Sequence, residues 1–170
     1  LTRILREYGE ERGARPLARA IQAAARTGPV QTTGQLTAAI TAALPPGAPV
    51  NAVLSRVFQA LRIAVNTELE ALAEVLAQVP DAVAPGGRVA VIAYHSLEDR
   101  IVKRWLARER QDCICPPELP VCRCGHRATV RPLTRRPVTA GRDEVVRNPR
   151  ARSARLRVAE VLAPGARRSP

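Results

Sequence analysis

Apolar side chains recur at intervals of three and four residues through the first half of the chain, the spacing of one face of an α-helix. Two helices are predicted within residues 1–26, separated by residues 13–16. A turn at residues 28–29 precedes a third helix, for which Thr33 is the predicted N-cap. The segment PPGAP at 45–49 interrupts the pattern and marks the first predicted domain boundary.

The longest helical pattern covers residues 51–79, where Val and Leu repeat at threes and fours. Asn66 is a candidate start for a second helical segment, because glutamates follow it and acidic side chains favour helix N-termini. The sequence APGG at 84–87 is typical of a turn. Residues 88–94 form an apolar, β-branched run that predicts a buried parallel strand, and a helix is predicted over 97–109.

The regular helical and strand patterns are interrupted after residue 112. Farther along, residues 130–140 predict a short strand flanked by prolines, and residues 156–162 predict an edge strand or a short helix. The predicted fold class is α/β, preceded by an all-helical segment. The predicted boundaries divide the chain into 1–50, 51–112, a Cys-rich loop at 113–126, and an Arg- and Pro-rich segment at 127–170.

The chain is strongly basic, with 27 lysines and arginines against 15 acidic residues and a net charge of +12. Such a charge indicates an anionic partner, and nucleic acid is the first candidate. Lys103 is the single lysine, so nearly all of the positive charge comes from arginine. The planar guanidinium of arginine suits phosphate and guanine, although an arginine-biased genome also explains the use of arginine over lysine. Four aromatic residues in the whole chain argue against an aromatic platform for stacking bases.

The sequence carries no recognisable membrane or secretion signal. Its apolar runs fall short of the roughly 20 residues that span a bilayer, and its N-terminus lacks the signal-peptide pattern. We therefore expect a cytoplasmic protein with no membrane partner, whose cysteines are better metal ligands than disulfide partners. The chain begins at Leu1 inside a predicted helix and contains no methionine, which indicates a fragment or a trimmed chain.

The segment RVAVIAYHSLEDR, residues 88–100, joins the predicted strand to the next helix. Ser96 stands at the N-cap position with Asp99 three residues later, an arrangement like a capping box. Glu98 and Asp99 also complement the positive end of the helix dipole. Helix capping therefore explains much of the motif. His95 remains a candidate for chemistry, because a histidine after a strand can donate to a substrate or act as a base.

Two arginine-rich stretches are candidate phosphate-binding surfaces. The helix at 97–109 has a predicted buried stripe of Leu97, Ile101 and Trp105, and its other face is basic. That basic face carries Arg100, Lys103, Arg104 and Arg108. The second stretch, residues 148–157, carries Arg150, Arg152, Arg155 and Arg157. A solvated helix face and a disordered tail are the ordinary interpretations, and binding of phosphates is the alternative.

Four cysteines lie within twelve residues, as Cys113-x-Cys115 and Cys122-x-Cys124, with His126 close behind. Four thiolates at this spacing are able to enclose one tetrahedral Zn²⁺, and His126 is an alternative ligand. Cys-x-Cys is a less usual zinc spacing than Cys-x-x-Cys. Reduced cysteines without a metal are the main alternative, and disulfides are a more distant one.

Several motifs resemble one known family. The segments FQALRIAVNTELEAL (58–72), APGGRVAVIAYHSLEDRIVKRWL (84–106) and NPRARSARLRVAE (148–160) are similar to the ribosomal RNA small subunit methyltransferase H family. LREYGEER (5–12) and TTGQL (32–36) match in the same order, and many members carry a similar cysteine insert. The resemblance covers nearly the whole chain and is to the C-terminal part of such an enzyme.

This resemblance implies an S-adenosylmethionine-dependent methyltransferase acting on N4 of a cytidine in small-subunit (16S) ribosomal RNA. The implied fold is a Rossmann-like methyltransferase sheet interrupted by a helical substrate-binding insert, whose end would be residues 1–50. The family's cofactor-binding elements, a glycine-rich loop and further acidic and amide residues, have no match here. No cofactor-binding residue is therefore predicted in this chain. The implied partner is small-subunit ribosomal RNA or the ribosomal subunit itself, and no oligomeric state is implied.

The resemblance also indicates which residues border the base. An exocyclic amine is a poor nucleophile, so the base must be held in line with the methyl donor and near a proton acceptor. The predicted catalytic residues are His95, Ser96, Glu98 and Asp99. The predicted RNA-binding residues are Arg62, Asn66, Arg100, Arg104, Arg150, Arg152 and Arg155.

Two other interpretations stay open at the level of sequence. A non-enzymatic RNA-binding module with a zinc knuckle would bind RNA with a steep salt dependence and without a cofactor. A truncated product without its own function would leave a strand edge and apolar surface uncovered, and it would be poorly soluble.

Overall fold

The computed structural model describes residues 1–119 and 121–163. The chain forms two compact units, Leu1–Glu68 and Leu69–Pro170. The elements in the described residues are α1 (Thr2–Glu7), α2 (Ala14–Thr27), α3 (Thr33–Ala42), α4 (Val50–Asn66), α5 (Glu68–Ala82), β1 (Arg88–Ala93), α6 (Ser96–Glu109), β2 (Val130–Pro132), β3 (Val138–Thr139), α7 (Arg142–Arg147), a 3₁₀ helix (Pro149–Ser153) and β4 (Arg155–Val161). The last part of the predicted Arg- and Pro-rich segment, 164–170, lies outside the described residues.

The first unit is a helical cluster of α1 to α4 around one apolar core. The side chains buried in it come from all four helices: Leu5, Ala14, Leu17, Ala18, Ile40, Val53, Val57 and Ala60. A buried carboxylate, Glu11, ties the α1–α2 loop to α4, since it accepts hydrogen bonds from Arg56 Nε at 2.7 Å and from the Gly13 amide at 2.8 Å. The predicted all-helical beginning of the chain is confirmed.

Helix α3 begins one residue earlier than predicted, because Thr32 rather than Thr33 is its N-cap. The Thr32 hydroxyl accepts from the Gln35 amide at 3.2 Å, and the Gln35 side chain accepts from the Thr32 amide at 3.1 Å. Gln35 stands three residues after Thr32, the spacing that a reciprocal capping box requires, and this decides between the two threonines.

The predicted long helix over 51–79 is two helices. Thr67 adopts a left-handed conformation with φ of +50° and ends α4, and α5 begins at the next residue. Asn66, the predicted start of a second segment, is therefore the last residue of α4, and the second segment begins two residues later at Glu68. The glutamate that follows, Glu68, opens α5, where the positive helix end favours an acidic side chain.

The second unit packs α5 and α6 against a four-stranded sheet. Its core consists of one face of the sheet and the facing sides of the two helices: Leu76, Val79, Val102, Leu106, Val130, Ala159 and Val161. The predicted stripe on α6 is partly wrong. Leu97 is buried, but Ile101 and Trp105 are only partly buried, and Val102 and Leu106 lie deeper.

The strand predicted as one alternative at 156–162 is confirmed as β4, but β4 is the central strand of this sheet, so the predicted edge position is wrong. β4 pairs with β1 on one side, from Arg88 opposite Glu160 to Ala93 opposite Arg155. On its other side it pairs with both β2 and β3. An apolar strand gains most burial in the middle of a sheet, and the alternation of β4 suits this position.

All strand pairings in the described residues are antiparallel, so the parallel pairing predicted for β1 is not observed there. Within the same residues β1 pairs with β4 alone, and its outward-facing Ile92 is 54% exposed. The mixed α/β class is confirmed, and the Rossmann-like arrangement stays a prediction. In the part of the chain that the structure describes, none of the helices is long and apolar enough to span a membrane.

Candidate functional site

The junction between β1 and α6 is held by a reciprocal cap. His95, not the predicted Ser96, is the N-cap of α6: its Nδ1 accepts from the Glu98 amide at 3.3 Å. Glu98 Oε2 in turn accepts from the amides of Tyr94 at 2.8 Å and His95 at 3.2 Å. The predicted capping box exists, but one residue earlier, because the carboxylate at position 98 reaches back to the strand end.

This cap determines where His95 carries its proton. Because Nδ1 accepts an amide N–H, it holds no proton, and the neutral imidazole is protonated on Nε2. Nε2 lies 3.3 Å from Glu98 Oε1, and the His95 side chain is 10% exposed. In this arrangement His95 is a hydrogen-bond donor through Nε2 and a structural acceptor through Nδ1.

Asp99 lies on the buried side of α6 and is bound by two arginines of β4. Arg157 donates from Nε to Oδ1 at 2.7 Å and from Nη2 to Oδ2 at 3.2 Å, and Arg155 donates to Oδ2 at 3.1 Å. The hydrogen bond from Arg157 lowers the pKa of Asp99 below its ordinary value of 3.8, and the Arg155 bond adds to this against the opposing effect of burial. A carboxylate held ionised in this way is a poor proton acceptor near neutral pH.

Ser96 has a different environment from its neighbours. It is the first residue of α6 and is exposed, at the end of the helix where backbone N–H groups point outwards. The four predicted catalytic residues thus lie together at one junction, with His95, Glu98 and Asp99 holding the junction and Ser96 facing solvent.

The NPRARS motif folds into a 3₁₀ turn directly before β4. Asn148 Oδ1 accepts from the Arg150 amide at 3.2 Å, and Ala151 is buried at 5% exposure. The turn is thereby anchored while Arg150 and Arg152 extend from it into solvent. All three predicted arginines of this segment are exposed, and Arg155 is in addition bound to Asp99.

Arg62 and Asn66 lie in the first unit and both bind Glu68. Arg62 forms a bidentate ion pair with Glu68, from Nε to Oε1 at 2.8 Å and from Nη2 to Oε2 at 3.0 Å. Asn66 Nδ2 donates to Glu68 Oε1 at 3.1 Å. All of these bonds are at an exposed surface. The charge of Arg62 is thus balanced within its own unit in this structure.

The basic residues of α6 divide into two rows. Lys103 and Arg110 face a cavity of about 220 Å³ that also has Arg135 and Thr134 in its wall. Arg104 and Arg108 line a separate cavity of about 280 Å³ against α5, and Arg100 is exposed near the start of the helix. The first cavity gathers positive charge from helix and loop, as expected of a phosphate-binding groove.

The four cysteine sulfurs form one cluster, within 4.8 Å of one another. The amide of Ile114, followed by that of His126, lowers the pKa of Cys124 to about 6. The hydrogen bond from the Cys115 amide lowers the pKa of Cys113. The side-chain hydrogen bonds with the other three cysteines, together with burial, outweigh that effect and raise this pKa to about 12. His126 is not part of the cluster.

Two groups of site residues escaped the sequence reasoning. In the sequence Arg157 is one of a run of arginines, whereas in the structure it is the main partner of Asp99. Its spacing of two residues from Arg155 indicates that both side chains lie on one face of a strand, because alternate residues of a strand share a face. Arg110 and Arg135 belong to the basic groove but are 25 residues apart in sequence. Nothing in the local pattern joins them.

The glycine doublet does not fit a cofactor-binding loop. The Gly86 amide donates to Val161 O at 2.8 Å and Gly87 O accepts from the Val161 amide at 2.9 Å, so both groups extend the β1–β4 ladder. A Cβ at Gly87 would meet Val83 at 2.6 Å and the Ala84 carbonyl at 2.8 Å. The doublet therefore serves a tight turn at the start of β1.

The described residues thus combine an α/β unit, a capped strand–helix junction and a basic surface, and a basic surface is typical of proteins that bind nucleic acid. The chain belongs to the MraW methylase family, whose model matches residues 1–162. The match extends through the helical unit as well as the sheet, and so covers most of the chain.

Curated relatives bear the name ribosomal RNA small subunit methyltransferase H. The one from Thermomicrobium roseum is 50% identical over 163 residues, 96% of this chain and 50% of its own length. Those from Solidesulfovibrio magneticus and Symbiobacterium thermophilum are 52% and 50% identical, over 95% and 97% of this chain and 51% and 52% of their own lengths. The chain spans about half the length of the curated relatives it matches.

Proposed function

We propose that this chain is the RNA-facing part of an S-adenosylmethionine-dependent methyltransferase that modifies N4 of a cytidine in small-subunit ribosomal RNA. The family match and the names of the relatives support a ribosomal RNA methyltransferase. The strongly basic composition suits an RNA partner.

One observation of the structure carries the proposal. The two arginines of β4, at 155 and 157, bind Asp99 of the HSLEDR motif from 56 and 58 residues away in sequence. This clamp places the NPRARS turn, which precedes Arg155, beside the α6 N-terminus. Two motifs that are distant in sequence therefore form one surface, with a polar junction and exposed arginines.

At this surface the chain's residues have distinct roles in the proposal. Arg150 and Arg152 bind the RNA backbone, together with the groove lined by Lys103, Arg110 and Arg135. Ser96, the exposed first residue of α6, contacts the target base. His95, Glu98 and Asp99 position that end, and the Nε2–H of His95, which lies 3.3 Å from Glu98 Oε1, would turn to a base oxygen or ring nitrogen when RNA binds.

The cofactor, in this proposal, is held by the part of such an enzyme that this chain does not span. In the described part of the chain β1 pairs on one side only, with β4, so its other edge offers a place for further strands. The additional strands would complete a larger sheet. Arg62, Asn66, Arg100 and Arg104 remain proposed RNA contacts.

A chimaera tests this proposal. This chain would replace the matching segment of the Thermomicrobium roseum relative, and transfer of a labelled methyl group to small-subunit ribosomal RNA would be measured, with nucleoside mass spectrometry to identify the product. We expect N4-methylcytidine. A soluble, folded chimaera that transfers no methyl group to this RNA would overturn the proposal.

The His95→Asn variant of the chimaera sharpens the test. Asparagine is a good N-cap and keeps the helix start, but it lacks the Nε2–H donor at its place. We expect unchanged thermal stability and a fall in kcat of at least about tenfold, in line with loss of a positioned donor. Unchanged kcat would restrict His95 to capping.

A second candidate function is RNA binding without catalysis, favoured by the basic groove beside α6. It predicts that the chain alone binds small-subunit ribosomal RNA and that the chimaera binds RNA but transfers nothing. Calorimetry of the chain with S-adenosylmethionine is the companion measurement, and the proposal expects no saturable binding.

A further inference from the structure

The loop between α6 and β2 is long and has no core of its own. From Gln111 to Thr129 the described residues form neither helix nor strand, and the described side chains at 110–119 and 121–127 are exposed or half-buried. Loops of this length without secondary structure are uncommon in compact domains unless something else orders them. An apolar core does not supply that order here.

The base of this loop is closed by hydrogen bonds. The Thr129 amide donates to Glu109 O at 2.8 Å and its hydroxyl donates to Glu109 Oε2 at 2.7 Å. The Ala128 amide donates to Asp112 Oδ1 at 3.3 Å. Both ends are therefore fixed to the sheet unit, and the cysteines lie in the part beyond this closure.

The arrangement of the four sulfurs matches a tetrahedral zinc site. The Sγ atom of Cys122 lies 3.4 Å from that of Cys113 and 3.6 Å from that of Cys124. The Sγ atoms of Cys113 and Cys124 are 3.8 Å apart. Four sulfurs about 2.3 Å from a central Zn²⁺ are about 3.8 Å from one another. The fourth sulfur, from Cys115, belongs to the same cluster. The separations are well above the 2.03–2.05 Å of a disulfide bond.

Backbone amides point at the sulfurs from within the loop. Ile114 donates to Cys124, Cys115 to Cys113 and Arg123 to Cys115, each at 3.4 Å. Such N–H···S bonds offset the negative charge of a tetrathiolate metal site and orient its ligands. Gly125, with φ of +61°, turns the chain directly after the last cysteine, a conformation that side-chain-bearing residues rarely adopt.

We propose that Cys113, Cys115, Cys122 and Cys124 bind one structural Zn²⁺ that orders the 113–126 loop. The site is closed, with four protein ligands and no open position, so it supplies stability and no chemistry. The metal replaces the missing apolar core of the loop, and it holds Arg123 and Arg127 on an ordered surface. This inference does not depend on the proposed function.

The full chain, purified under reducing conditions and dialysed, tests the site by elemental analysis. We expect about one zinc per chain, and replacement by Co²⁺ should give the intense visible bands of a tetrahedral thiolate site. Cys113→Ser and Cys122→Ser should each lower zinc affinity by at least about tenfold, the lower range for disturbing a metal site. Alkylation of the four thiols should be slow until a chelator is added.

A matched control separates the cysteines from the neighbouring histidine. His126→Asn should keep its zinc, because the His126 ring lies outside the cluster. A His126 variant that loses zinc as the cysteine variants do would overturn the all-cysteine ligand set. A wild-type chain without zinc, whether its thiols are free or joined in disulfides by intact mass, would overturn the site. Because wild-type metal content and chelator response decide the matter, a cysteine variant that fails to fold leaves the test intact.

Discussion

At the scale of single residues, the junction at 94–99 separates residues that look alike in sequence. Glu98 and Asp99 are neighbouring acids at a helix start, yet Glu98 caps the strand end and Asp99 is held by two arginines. Consecutive helical residues differ by 100° in direction, so one faces the strand end and the other the sheet. The motif therefore combines a cap and an ion-pair clamp in adjacent positions.

Replacing Asp99 tests the clamp. Asp99→Asn keeps the size of the side chain but leaves Arg157, whose side chain is 11% exposed, without its counter-charge. We expect a loss of about 2–4 kcal/mol in the free energy of unfolding at pH 7, measured with urea, because a buried charge loses its partner. Asp143→Asn, at an exposed position of α7, should change stability by less than about 0.5 kcal/mol.

The same ion pair predicts a pH dependence. The arginines lower the pKa of Asp99 below 3.8 in the folded chain, so the folded state binds this proton less readily than the unfolded state does. The stabilisation is therefore complete above pH 4 or so and is lost as the pH falls through the lowered pKa. Urea titrations of wild type and Asp99→Asn should show the difference between them shrinking below about pH 4. A constant difference down to pH 2 would contradict this origin.

His95 makes a second residue-scale prediction, on stability rather than turnover. His95→Ala removes the Nδ1 acceptor for the Glu98 amide and should lower the free energy of unfolding by about 1 kcal/mol. His95→Asn should restore most of that loss, because asparagine accepts at an N-cap. Thermal melts followed by circular dichroism compare the two, and equal losses would show that capping is not what His95 contributes.

At the scale of elements, close approach and pairing position decide more than propensity does. The turn after α1 passes so near α4 that a Cβ at Gly9 would lie 2.7 Å from Leu5 O and 2.9 Å from Arg56 O. Strand β4 likewise takes the centre of the sheet because strands on both sides require it as a partner. In each case a neighbour distant in sequence sets the requirement.

Gly9→Ala therefore tests the packing of the helical unit. The added methyl meets backbone atoms that cannot rotate away, so α1 and α4 must separate, and we expect a loss of about 1–3 kcal/mol in unfolding free energy. The control is Gly34→Ala in the first turn of α3, where the nearest atom is 3.8 Å away. That variant should be stabilised by about 0.5–1 kcal/mol, since alanine is the better helix former. Equal effects at both sites would contradict the close approach.

At the scale of the whole molecule, positive charge dominates, but part of it is balanced locally. Arg131 pairs with Glu160 at 2.9 Å and Arg108 with Glu109 at 3.6 Å, whereas Arg150 and Arg152 extend from the 3₁₀ turn. Arginines already paired with carboxylates contribute less to phosphate binding than exposed ones. Net charge alone therefore does not identify the RNA surface.

This difference predicts how RNA affinity depends on salt. We expect Arg150→Gln with Arg152→Gln to weaken binding of small-subunit ribosomal RNA to the chain and to reduce the slope of log K against log salt by about 1–2. Arg108→Gln with Arg131→Gln removes the same net charge and should change the slope by less. Fluorescence anisotropy at several salt concentrations measures both, and identical slopes would place the RNA surface elsewhere.

The sequence by itself determined the elements and the family. Periodicity predicted the helical beginning and the helix over 97–109, and an apolar, β-branched run predicted the strand over 88–94, which the structure has at 88–93. The motifs identified the family, and the family model confirms it over residues 1–162. The cysteine spacing indicated a candidate metal site, and in the structure the four sulfurs lie within 4.8 Å of one another.

Only the tertiary structure decided which side chains cap the helices, which arginines bind Asp99 and which strands pair. Whether Thr32 or Thr33, and His95 or Ser96, begins a helix depends on which side chain reaches back to an amide, and local rules allow either. Asp99 meets Arg155 and Arg157 from 56 and 58 residues away. The three strands that pair with β4 do so from 16 residues away, for Thr139 and Arg155, to 72 residues away, for Arg88 and Glu160. Such pairings depend on total burial and on charges that meet only after folding, and no short window of sequence contains both partners.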